Sequence, residues 1–87
     1  MLPDGLLLTA RHHDRDSAAL SIAANRLSKV RLLLADRTEQ CDRIAARNAQ
    51  RLVDDVHAHL RAFPSTPPSV EARLEQLALE ALHEAMP

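Results

Sequence analysis

From Ala18 to Phe63 the chain contains neither glycine nor proline, and directly afterwards come Pro64, Pro67 and Pro68. Proline has no amide hydrogen to donate and its ring clashes with the preceding helical turn, so a helix running through the first segment must stop at the second. The only glycine is Gly5 and the only aromatic residue is Phe63. Strands favour aromatic and β-branched side chains, and tight hairpin turns need residues that accept positive φ, so a sheet-rich fold is excluded. Ala, Leu, Arg and Glu dominate instead. All four are good helix formers, and the expected fold class is all-α.

Apolar spacing agrees. At about 100° per residue, Leu20, Ala24, Leu27, Leu34, Cys41, Ala45, Ala49, Leu52, Val56, Leu60 and Phe63 fall on one stripe, interrupted by Arg31 and Thr38. In the last segment Val70, Leu74, Leu77, Ala78, Ala81 and Ala85 repeat the pattern, with Leu82 on its border. Thr66 followed by Pro67 reads as an N-cap and first-turn pair for this final helix. The expected organisation is an N-terminal turn or loop segment over 1–16, beginning with a type I turn at Pro3-Asp4-Gly5, and a single helical domain over 17–87. That domain comprises a helix over 17–63, a Pro-rich turn over 64–68 and a helix over 67–86.

The two helices are unequal. A helix over 17–63 runs ~70 Å and one over 67–86 only ~30 Å at 1.5 Å per residue. Folded back antiparallel as a coiled-coil-like helical hairpin, the short helix covers Leu52 to Phe63 and reaches roughly to Cys41. Leu20 to Leu34 is left bare, and Ile22, Val30, Leu32 and Leu33 make that half apolar on several sides, as buried helices are. A partner interface is therefore expected at Leu20, Ile22, Leu27, Val30, Leu33 and Leu34, with the bundle completed by self-association or by another protein. The alternative is a three-helix bundle with a break near Asp36. Asp36-Arg37-Thr38-Glu39 reads as a capping box, in which Asp36 accepts from the Glu39 amide and Glu39 reaches back.

Charge narrows the partners. Eleven basic and twelve acidic residues give a formal net of −1, too little overall field to draw the chain onto nucleic acid or an anionic membrane. The distribution is uneven, however: 17–63 is net positive and 64–87 net negative. Cys41 is the only cysteine, which rules out an intrachain disulfide scaffold. Leu6-Leu7-Leu8 is too short for a signal or membrane-spanning segment, and the opening residues carry no basic run. A reduced, soluble, cytoplasmic protein is expected.

Candidate chemistry is sparse. Cys41, in the middle of the stripe, reads as a small buried hydrophobe rather than a nucleophile, which would need nearby cations and exposure. His12, His13, Asp14 and Asp16 cluster locally, but structural zinc sites want four well-separated ligands including cysteine, so a solvated loop is the reading. His57 and His59 diverge by ~200° on a helix and cannot share a metal. Arg43, Arg47 and Arg51 step along one face, interleaved with carboxylates, and Glu39 with Arg43 makes an i, i+4 pair. No phosphate-binding glycine loop and no nucleophile with its base are visible. No catalytic, cofactor-binding or metal-binding residue is assigned, and no cofactor or small-molecule substrate is expected.

The expected function is that of a non-enzymatic protein–protein interaction module, acting on a protein partner or as a homodimer. The stretch Leu27-Ser28-Lys29-Val30-Arg31-Leu32-Leu33, then Arg37, resembles the long-helix proteins of type III and flagellar export over less than a quarter of the chain. That likeness implies the alternative of a small chaperone, adaptor or stalk component of a secretion or other multiprotein assembly. A nucleic-acid-binding regulator working through the arginine row is the third reading, and its acidic final helix speaks against it.

Overall fold

A computed structural model describes residues 4–86, with side chains from Asp14 onward. It is all-α. Helix α1 spans Asp4–Asp36, α2 spans Glu39–Ala62 and α3 spans Pro68–Ala85, and the three pack against one another as a bundle. Asp16 meets His59 and Arg26 pairs with Asp55, so α2 runs antiparallel to α1. Asp16 also meets Thr66, and Arg31 meets Glu80 and Glu84, so α3 returns alongside α1 in the same direction.

Each helix contributes one face to a shared core. From α1 come Ala23, Leu27 and Val30; from α2 Ala45, Ala49, Leu52 and Val56; from α3 Leu74, Leu77, Ala78 and Ala81. Leu52, Leu74 and Val30 are the largest wholly enclosed side chains, one from each helix. Burial of each such side chain contributes roughly 1.5–3 kcal/mol. The enclosed alanines between them leave room for close approach of the helices.

The stripes read along α2 and α3 are the faces that the structure buries. On α1 the buried arc is turned. Ala24 is exposed while Ala23 and Val30 are enclosed, because this helix lies against two neighbours and its inward face bisects them.

The continuous helix expected over 17–63 is interrupted. Arg37 adopts φ 33, a left-handed conformation that ends α1, and Thr38 is extended at φ −95, ψ 156. Thr38 then caps α2, its Oγ1 accepting from the Cys41 amide at 3.1 Å. The cap is therefore two residues beyond the Asp36 expected for it, and Glu39 bonds forward to Arg43 at 3.2 Å rather than back. Neither glycine nor proline marks this turn, since one left-handed residue and one extended residue suffice to reverse the chain.

Two further expectations change. The segment 1–16 was expected as turn or loop; Pro3 lies outside the described residues, but Asp4 and Gly5 are already helical and Arg11 to Asp16 continue the helix. No proline follows Gly5 until Pro64, so nothing in that polar stretch forbids helix. The cap of α3 is Pro67, without a side-chain bond, and Pro68 begins the helix. Thr66 is turned inward and buried instead.

Candidate interaction surface

The turn at Arg37–Thr38 decides the fate of the residues expected to meet a partner. With α2 and α3 both lying along α1, Leu27 and Val30 become core residues. Leu20, Leu33 and Leu34 are half-buried against that core, and only Ile22 is exposed. The reading that the front half of α1 stands bare is therefore overturned, because the missing cover is supplied by the chain itself.

A row of exposed and half-buried side chains lies on the flank of α1 next to α2. Ile22, Arg26, Lys29, Leu33 and Asp36 recur at alternating steps of four and three, which places them along one edge of the helix. Ile44, Asn48, Arg51 and Asp55 do the same on the facing edge of α2. Between the edges run two depressions. One, of about 270 Å³, is lined by residues including Ile22, Ala23, Arg26, Leu52 and Asp55. The other, of about 320 Å³, is lined by Lys29, Leu32, Leu33, Asp36, Cys41 and Asn48.

Apolar exposure concentrates here. Ile22 is 52% exposed, Leu32 71% and Ile44 37%. Ile22 and Leu33 are separated by about three helical turns, or ~16 Å, so a helix laid in the furrow would meet both depressions with side chains eleven residues apart. The furrow carries both signs: Lys29 and Asp36 line the second depression and neither makes an ion pair among the described residues, and Arg51 stands exposed on the α2 edge. Arg26 pairs with Asp55 and Arg43 with Glu39. The chain matches no family model, no curated protein and no solved structure.

Cys41 is half-buried in the second depression, with its thiol 3.9 Å from an Asp36 carboxylate oxygen. His12 and His13 lie outside the described side chains. Among the described residues no group of three or more His, Cys, Asp and Glu side chains is placed to hold a metal ion. No described helix is long and apolar enough to cross a membrane.

Sequence reading missed the polar knot at the other end of the bundle. Asp16 is buried with its Oδ1 3.0 Å from His59 Nε2 and 3.5 Å from Thr66 Oγ1. Thr66 Oγ1 also lies 2.7 Å from the Phe63 carbonyl, and the Thr66 amide donates to the same oxygen at 3.1 Å. The Arg15 guanidinium stacks 3.4 Å from the centre of the Phe63 ring, and the His59 ring meets the same Phe63 ring at 4.9 Å between centroids. Carboxylate, imidazole and hydroxyl are all present, yet the hydroxyl sits on the carboxylate and not on the imidazole. It therefore lacks the base that would activate it, and the cluster ties the α2–α3 loop to α1. The only sequence signal for it was a set of polar residues at positions the apolar stripe skirts.

Proposed function

We propose that this chain is a three-helix bundle serving as a non-enzymatic protein–protein interaction module, and that it binds through the furrow between α1 and α2. The observation that carries the reading is the exposure of Ile22 and Leu32, which line the two depressions between α1 and α2. Solvent-facing apolar side chains are ordinary when scattered singly; gathered along a groove they mark a contact surface. The interface expected over Leu20 to Leu34 is thereby moved to the flank of α1, retaining Ile22 and Leu33, with Leu27 and Val30 in the core and Leu20 and Leu34 packed against it.

Recovery of the tagged chain from its native cells tests this. The wild type should bring down a protein in stoichiometric amount, a second copy of itself included, and Ile22→Asp with Leu32→Asp should abolish that recovery. Both replaced residues are exposed, so the helical circular dichroism of the variant should match the wild type. Recovery that survives the double substitution, or a wild type that recovers nothing, overturns the reading. An adaptor role in a larger assembly is supported if the recovered protein is a foreign subunit.

A further inference from the structure

The turn between α1 and α2 is short and strained. Arg37 is held left-handed at φ 33, where a side chain with a Cβ crowds the backbone, and only Thr38 stands with it between Asp36 and Glu39. Yet the surrounding sequence suits an unbroken helix, since neither glycine nor proline occurs from Ala18 to Phe63. Straightening the turn also returns backbone hydrogen bonds. The last carbonyls of α1 and the first amides of α2, which helix ends leave without intrahelical partners, would bond to one another. The Cys41 amide, now satisfied by Thr38 Oγ1 at 3.1 Å, would take the Arg37 carbonyl.

The buried faces of α1 and α2 are also in phase. A chain that reverses direction at a turn is under no obligation to bury both helices on one side of a straight axis, but this one does. Ala23, Leu27 and Val30 of α1 and Ala45, Ala49, Leu52 and Val56 of α2 are enclosed. Laid along a single straight helix, all seven fall within an arc of about 100°. Leu34 and Cys41, half-buried on either side of the turn, lie inside the same arc.

We infer that two copies of this chain exchange their α2–α3 arms by straightening Arg37 and Thr38 into helix. Helices α1 and α2 then form one helix over 4–62, ~90 Å long, and two such helices lie antiparallel about a twofold axis close to Arg37. The α2 of each copy takes its place along α1 of the other, and α3 stays beside its own α2 while lying along the other copy's α1. The contacts between α1 and the arm are remade across the copies: Asp16 with His59, Arg26 with Asp55, and Arg31 with Glu80 and Glu84. The common arc is what this arrangement requires, because each long helix must turn one face inward along its whole length. The occupant is a second copy of this chain, since the inward face of α1 already fits this arm. Exchange of an identical element is a low-cost route to a dimer, and a short strained hinge invites it. The furrow is present in both forms, so the exchange is independent of what docks there.

The full chain, unfolded in urea, refolded at low and at high protein concentration and sized by light scattering, tests this. Dilute refolding should give monomer, and concentrated refolding should add a dimer that persists after dilution, because its return requires the helices to unpack. Arg37→Ala with Thr38→Ala removes the cap and favours helix, and should raise the dimer fraction several-fold. Arg37→Gly relieves the left-handed residue and should lower it several-fold. Ile22→Asp with Leu32→Asp, on the furrow, should leave it unaltered. Connectivity is read with Arg26→Cys and Asp55→Cys on a Cys41→Ser background, joined by a short bis-maleimide. On a denaturing gel the monomer should show a link within one chain and the dimer a link between two.

A wild type that is monomeric at every concentration overturns the inference. So does a dimer whose links lie within single chains, or one that Arg37→Gly leaves undiminished. A dimer abolished by Ile22→Asp with Leu32→Asp also overturns it, and would assign the contact to the furrow instead.

Discussion

Enclosed at the closed end of the bundle, the Asp16 carboxylate is tolerated because His59 and Thr66 bring donors to it. An ionised carboxylate offers acceptors only, so the contact is a hydrogen bond when His59 Nε2 carries the ring proton. Asp16→Ala strands the His59 donor, while Thr66 Oγ1 keeps its shorter bond to the Phe63 carbonyl, and the substitution is expected to lower unfolding stability by about 1–3 kcal/mol, measured by urea titration. A loss within error of zero would show that the knot does not hold the α2–α3 loop to α1. Nothing in local spacing pointed to this pairing, since Asp16 and His59 are far apart in sequence and Asp16 reads as part of a solvated loop. Leu74, Leu77 and Ala81, by contrast, were legible from their spacing alone. Val30 was not, because a stripe drawn through an unbroken helix placed it outside the core that encloses it.

At the level of the helices, the decisive feature is two residues long. Arg37 holds a left-handed backbone that disfavours any side chain with a Cβ, at roughly 1–2 kcal/mol. Thr38 offsets part of this by capping α2. Arg37→Gly should therefore raise stability, by up to about 1 kcal/mol after the added freedom of the unfolded chain is counted, while Thr38→Ala should lower it by about 1 kcal/mol. Thermal melts of the two variants should move in opposite directions. Equal shifts in the same direction would mean that the turn is not the one described. The helix start near Asp36 was visible as a cluster of capping residues, but the choice among Asp36 and Thr38 was not, because both can accept from an amide two or three residues on. The proline cluster was legible without ambiguity, since no conformation of the chain restores the missing amide hydrogens.

Taken whole, the molecule is a rod. Its principal extents are 55 × 21 × 17 Å and its Cα radius of gyration is 15.4 Å, against about 12 Å for a compact chain of this length. Helix α1, ~50 Å long, fills the long axis. X-ray scattering extrapolated to zero concentration should give a radius near or slightly above 15.4 Å; a value near ~12 Å would mean that α1 does not extend as a single helix. So elongated a bundle has little interior for its surface, which is why apolar side chains are left along both the α1/α2 furrow and the outer side of α3.

The all-helical class, the proline-marked turn and the inward faces of α2 and α3 could be deduced before any coordinates, because helix periodicity and proline's missing donor act over a few residues. Which side of α1 is interior, and hence which of its leucines a partner can reach, depended on where two distant segments come to lie. A turn without glycine or proline folded α2 and α3 against Leu27 and Val30, and no local pattern records the position of those neighbours.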